Sequence, residues 1–161
     1  QRQMCIRDRA HLGTLGANYP WLVEARAAAQ VAAPHPIASH YLAEIHRLAG
    51  RLALEQEQYE LALEEYQRSL TLLPNDLEAL NTAGFLLWED GQRQEAFSLF
   101  KFSFEIDSDQ IYPLPFLAED SIDRGQLTEA AAYIDTCFSL DPNYAPCSET
   151  RDAVQQALGV N

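Results

Sequence analysis

The sequence repeats with a period of 34 residues, and no other feature constrains its fold as strongly. When the chain is aligned on itself in steps of 34, five columns keep their chemical type across residues 43–144. The columns are Gly50, Gly84 and Ala118; Ala62, Ala96 and Ala130; Tyr66, Phe100 and Ile134; Gly91 and Gly125; and Pro74 and Pro142, with Ser108 between the two prolines. A regular period of this length predicts stacked copies of one small motif, each burying its apolar surface against its neighbours.

The columns have a physical meaning if each copy is a helix, a turn and a second helix. Small residues at Gly50 and Ala62 would let the two helices approach closely. Gly91 and Gly125 would end the first helix of a pair, because glycine adopts positive φ without steric cost. Pro74 would end the second helix, since proline disfavours the α conformation in the residue before it.

These residues resemble the tetratricopeptide repeat (TPR) family, whose signature is W-x2-L-G-x2-Y, then A-x3-F, then P. The three copies keep the second half of the signature better than the first. They read Ala62-x3-Tyr66 with Pro74, Ala96-x3-Phe100 with Ser108, and Ala130-x3-Ile134 with Pro142. The resemblance implies an all-α, right-handed α-solenoid of antiparallel helix pairs, with about seven to eight helices.

The repeats predict the domain organisation. Three full copies cover 43–76, 77–110 and 111–144, and a polar capping helix follows at 145–161. Residues 10–42 are interpreted as a partial, degenerate repeat, with a second helix over 19–33 and an unusually long helix over about 37–56. Residues 1–9 are set apart, because Met4–Arg9 resemble translated sequencing-adapter read-through. We therefore expect 1–9 to lie outside the fold and the natural N-terminal part to be missing.

The charge balance argues against a nucleic-acid partner. The chain carries 24 Asp and Glu against 11 Lys and Arg, for a net charge of −13, whereas a nucleic-acid binder needs a basic surface. No apolar run is long enough to span a bilayer, so no direct membrane insertion is predicted. Compartment is left open between cytoplasm and periplasm.

No pattern in the sequence predicts catalysis, a cofactor or a metal site. His40 and His46, six apart on one helix, would point in different directions. Paired acids are interpreted as solvated helix faces; they are Glu64 and Glu65, Glu89 and Asp90, and the group Glu119, Asp120 and Asp123. Cys137 stands where the family usually has alanine, which favours a small buried residue, and a Cys137–Cys147 disulfide stays open as the alternative.

By resemblance, the first helix of each pair lines a concave groove that binds a peptide or partner helix. The predicted groove residues are Arg47, Arg51, Asn81, Phe85, Trp88, Phe116 and Glu119. Arg47 and Arg51 lie four apart on one helix face, which suits them to bind one carboxylate. The alternatives are that the aromatic residues pack in the core and that the arginines pair with acids of their own helix. The Lys and Asn residues of the family's clamp for chaperone tails are not reproduced.

The sequence thus predicts a protein–protein interaction scaffold without catalysis of its own. Its partner would be a protein or peptide that places an apolar residue next to an acidic one. The alternative is a C-terminal or flanking array of a larger protein, such as a sulfotransferase, a glycosyltransferase or a membrane polysaccharide or pilus assembly protein.

Overall fold

A computed structural model describes residues 19–31 and 36–159, and within these ranges the regular structure is entirely helical. The helices are α1 (Pro20–Val31), α2 (Pro36–Glu55), α3 (Tyr59–Leu72), α4 (Leu77–Glu89), α5 (Arg93–Ile106), α6 (Leu114–Asp123), α7 (Leu127–Leu140) and α8 (Ala145–Leu158). The predictions for residues 1–9 fall outside the described residues. The unusually long helix predicted over about 37–56 corresponds to α2, which has 20 residues.

The chain divides into two compact units, and the first ends at Gly91. In this unit α2 packs mainly against α3, and α1 and α4 each pack against one of that pair. The interface of α2 and α3 follows the repeat columns. Ala62 and Tyr66 are buried, and a Cβ atom added at Gly50 would lie 2.9 Å from two ring atoms of Tyr66. Gly50 is therefore small because the Tyr66 ring occupies the space beside it.

The second unit begins at Gln92 and contains α5 to α8. Here α6 pairs with α7, and α8 packs against both. The core is built from Leu114 and Ala118 of α6, Ala130 and Ile134 of α7, and Val154 of α8. Ala130 and Ile134 are the third-copy counterparts of Ala62 and Tyr66, so the same columns build the core in both units.

The turns inside the helix pairs bear out the predicted role of glycine, and they add a residue that the sequence did not reveal. Gly91 and Gly125 have φ values of 83° and 73°. In the first copy Glu57 stands 34 residues before Gly91, and it also has a positive φ, of 57°. The left-handed conformation costs a residue with a Cβ atom roughly 1–2 kcal/mol, so Glu57 keeps the turn of the repeat at a steric cost.

Cys137 is buried, as its column predicted, and it forms a disulfide with Cys147, the alternative that the sequence left open. Both cysteines are buried in the core of the second unit. Their Cα atoms lie 6.4 Å apart, within the range that a disulfide spans. Cys137 falls in the same column as Ser69 and Ser103, which are also buried. The column predicts a small buried residue, but it does not show that α8 places a second cysteine beside it.

The helix that was predicted as a cap corresponds to α8. It buries only Cys147, Thr150 and Val154. The polar residues that were predicted to face water are all exposed: Glu149, Arg151, Asp152, Gln155 and Gln156.

Candidate functional site

Helix α2 has one buried face and one exposed face. Ala43, His46, Ala49 and Ala53 are buried at helical spacing. The opposite face presents apolar side chains to solvent, and Tyr41 is 61% exposed. Charged residues lie on the same face, among them Glu44 and Arg51, so the apolar side chains are exposed beside polar ones.

A cavity of about 230 Å³ opens on the exposed face of α2. Three apolar side chains line it, those of Tyr41, Ile45 and Leu48. Three charged residues of the same helix complete the lining, namely Glu44, Arg47 and Arg51. The cavity is therefore an apolar recess with charged groups beside it, and it has the size of one or two side chains of a partner.

The two arginines differ in how far the chain already uses them. Arg47 is part-buried and pairs with Glu44 of its own helix, with Glu78 of α4 and, at 3.3 Å, with Asp76. The hydrogen bond that Arg47 donates to Glu44 raises the pKa of the Arg47 guanidinium, burial opposes that rise, and the charges of Glu78 and Asp76 add to it. Arg51 is 56% exposed, and its Nε lies 3.6 Å from a carboxylate oxygen of Glu78.

Local structure at the start of α4 explains why its acids reach the arginines. Asp76 caps α4 by accepting a hydrogen bond from the backbone N–H of Ala79 at 3.1 Å. The carboxylate that caps the helix also pairs with Arg47, so the cap connects α4 to α2. Glu78 lies in the first turn of α4, where the helix dipole favours a negative charge. Next to this cluster burial raises the pKa of the Tyr66 hydroxyl to about 12, and the charge of Glu78 contributes.

The other predicted groove residues of the first unit lie on α4. Phe85 is partly exposed and Asn81 is half-buried. Trp88 is only 8% exposed, so its ring belongs to the interior and the groove interpretation of Trp88 was wrong. Large aromatic residues at helical spacing can pack in a core or contact a partner in a groove. The spacing alone did not distinguish these two roles for Trp88. Here α4 buries a wide arc that also includes Leu86 and Leu87.

In the second unit, the predicted residues Phe116 and Glu119 lie on α6. The ring of Phe116 stacks on Phe100 with centroids 4.5 Å apart, and Tyr112 packs beside it at 5.7 Å. Glu119 lies 3.9 Å from Arg93. Burial raises the pKa of the Glu119 carboxyl, Arg93 opposes the rise and Asp123 adds to it.

Sequence reasoning missed a buried charge cluster in the first unit, which we call the Glu65 cluster: Glu65, Arg26, His46 and Arg68. The side chain of Glu65 is 1% exposed, and its carboxylate lies 2.7 Å from Arg26, 2.8 Å from His46 and 3.0 Å from Arg68. The interpretation of Glu65 as part of a solvated face was therefore wrong. The sequence position of Glu65 indicated its burial, because Glu65 lies three residues after buried Ala62 and four residues before buried Ser69, on the same face of the helix.

The same correction applies to Asp120 in the second unit, whose side chain is 10% exposed and pairs with Arg124 at 2.7 Å. Burial raises the pKa of the Asp120 carboxyl, and Arg124 opposes that rise.

Across residues 19–31 and 36–159, no three histidine, cysteine or acidic side chains form a group that could hold a metal ion. None of the helices described is long and apolar enough to cross a membrane.

The known proteins that this chain resembles were found by comparison with solved structures. No protein-family model matches the sequence, and neither does any curated protein. The chain is similar to the TPR domain of Arabidopsis OM64, with a TM-score of 0.65 and 15% identity over 73% of this chain and 98% of that one. It is also similar to the first TPR of Spaghetti (RPAP3) bound to the HSP90 peptide SRMEEVD, with a TM-score of 0.65 and 15% identity over 73% and 93% of the two chains.

A third similar structure is that of the MamA protein, with a TM-score of 0.67 and 12% identity over 90% of this chain and 85% of that one. At these identities the similarity shows the fold alone. The chain has the fold of TPR domains, and the predicted all-α solenoid of helix pairs is confirmed.

Proposed function

We propose that this chain is a protein–protein interaction module that binds a peptide segment or a helix of a partner. The observation that carries the proposal is the apolar cavity on the exposed face of α2, lined by Tyr41, Ile45 and Leu48 beside Arg51. A partner would place an apolar side chain in this cavity and a neighbouring carboxylate on the exposed guanidinium of Arg51. Aromatic and arginine side chains are enriched where proteins bind one another.

The fold supports the proposal, because the TPR of Spaghetti (RPAP3) is bound to a peptide that contains acidic residues. Asn81 and Phe85 on α4 are proposed as further partner contacts in the first unit. Phe116 and Glu119 on α6 are proposed as partner contacts in the second unit. Trp88 is left out, because its buried ring serves the core.

The proposal is tested with two peptide arrays and the full chain. In the first array an apolar position (Leu, Ile, Phe or Tyr) is followed by Asp in a Gly-Ser background, and in the second Asn replaces Asp. We expect Leu48→Ala to weaken binding to both arrays by about tenfold, because it removes apolar contact in the cavity. Arg51→Ala should weaken only the Asp array, by about three- to fivefold, as befits an exposed ion pair.

Two variants of α8 serve as matched controls. Leu158 and Arg151 are exposed residues of the same types in the second unit. Leu158→Ala and Arg151→Ala should leave binding to both arrays unchanged. Binding that is the same in wild type, Leu48→Ala and Arg51→Ala would refute the cavity as the binding site. Equal binding of the wild type to the two arrays would refute the preference for an acid, and the absence of binding to both arrays would refute the proposed function.

A further inference from the structure

One carboxylate already lies between Arg47 and Arg51, and it belongs to the chain itself. Glu78 pairs with Nη1 of Arg47 through one oxygen, and its other oxygen lies 3.6 Å from Nε of Arg51. The side chain of Glu78 is 39% exposed, so it stands at the edge of the site and not in the core. The spacing of Arg47 and Arg51 predicted that the two arginines bind one carboxylate. In the structure that carboxylate comes from Glu78 of α4.

The acids around the two arginines have different structural roles. The side chain of Asp76 is 10% exposed and caps α4. Glu44 pairs with Arg47 and not with Arg51, and Glu44 and Arg47 both lie on α2. Among the ion pairs described here, Glu78 is the acid that contacts both arginines. Any partner carboxylate that binds Arg51 must therefore approach within a few ångströms of the like charge of Glu78.

The local charge balance weakens the attraction that Arg51 offers to a partner carboxylate. Three carboxylates, those of Glu44, Asp76 and Glu78, surround two guanidinium groups, so the cluster carries a formal charge of −1. Like charges close together oppose binding and select against partners that bring another negative charge. The apolar residues of the cavity are unaffected by this balance, so a neutral partner is not penalised.

We propose that Glu78 is a specificity-determining residue of this site, an internal competitor that holds the place of a partner carboxylate and reduces the advantage that Arg51 gives to acidic partners over neutral ones. The inference rests on the proposed function of the α2 cavity. It adds that the preference for a partner with an acid next to its apolar residue depends on Glu78 of α4. Substitution of Glu78 can therefore change this preference without altering the apolar lining of the cavity.

The test is the ratio of affinities for the Asp and Asn arrays, measured on the full chain as wild type and as Glu78→Gln. Neutralising Glu78 should raise the ratio by about fivefold, because the partner carboxylate then approaches Arg51 without the like charge of Glu78 beside it. Adding Arg51→Ala to Glu78→Gln should remove most of the gain, which shows that it arises from this pair. A general loosening of the first unit would weaken binding to both arrays together and leave the ratio unchanged.

Glu64→Gln is the matched control, because it removes the same charge from an exposed glutamate that pairs with Arg68 instead. It should leave the ratio at the wild-type value. A ratio unchanged by Glu78→Gln, while Leu48→Ala still weakens binding, would overturn the role of Glu78 and leave the proposed function standing. If neither array binds wild type or Glu78→Gln, the proposed function fails and this inference fails with it.

Discussion

Glu64 and Glu65 are neighbours in the sequence with opposite environments. Glu64 lies on the surface of α3 and pairs with Arg68 one turn later, whereas Glu65 is buried against Arg26 of α1 and His46 of α2. A buried carboxylate is tolerated only when partners compensate the loss of its hydration. The Glu65 cluster therefore connects three helices of the first unit through one side chain.

We predict that Glu65→Ala lowers the free energy of unfolding by about 3 kcal/mol, because it leaves the buried His46 and the part-buried Arg26 without their carboxylate. Glu64→Ala, the control one residue away, should change it by less than about 0.5 kcal/mol. Chemical denaturation of both variants checks the prediction. Equal losses in the two variants would show that Glu65 does not have the special role that its burial indicates.

At the scale of a single element, α8 packs against α6 and α7 through a small set of buried side chains. It buries three side chains, and one of them is the disulfide cysteine Cys147. The rest of the helix is largely polar and exposed, as a cap requires, because the last repeat must present a polar surface to water. The Cys137–Cys147 disulfide is therefore a large part of what attaches α8 to α7.

We predict that Cys137→Ser makes α8 open more often and exposes the bond after Arg151, in the middle of α8, to trypsin. A disulfide that closes a loop of this length contributes about 3 kcal/mol, so cleavage after Arg151 should accelerate by about 100-fold. Serine is a mild replacement here, since Ser69 and Ser103 fill the same column in the other repeats.

The control for this experiment is Cys5→Ser, which removes a cysteine outside the disulfide and should leave the cleavage rate at its wild-type value. Reduction of the wild type with dithiothreitol should reproduce the effect of Cys137→Ser. If Cys137→Ser is cleaved after Arg151 as slowly as the oxidised wild type, packing alone attaches α8 and the disulfide contributes little.

At the scale of the whole molecule, the repeat columns predicted the helices well because each column reports a local requirement. A small residue at Gly50 reflects the ring beside it, and the positive φ at Gly91 and Gly125 reflects the end of a helix. The boundaries of α2 and α8 followed from prolines and from the loss of apolar spacing. These features depend on residues that are close in sequence, so one sequence suffices to predict them.

The site was less predictable because its contacts join residues that are far apart in sequence. The pairing of Arg47 and Arg51 with Glu78 depends on how α4 lies against α2. The burial of Glu65 depends on Arg26, which is 39 residues away, and the disulfide depends on the face that α8 turns to α7. Helical spacing indicates which residues share a face, but it does not indicate what the next helix places opposite them.

The central claim is that the exposed face of α2 binds a partner. An NMR titration of the ¹⁵N-labelled chain with a Leu-Asp peptide of the first array tests it most directly. We predict saturable chemical-shift changes for the backbone amides between Tyr41 and Arg51, and smaller changes for the same amides in Leu48→Ala. The chemical shifts of the α8 amides should not change. Saturable shifts confined to α6 or α8, with those of α2 unchanged, would contradict the claim.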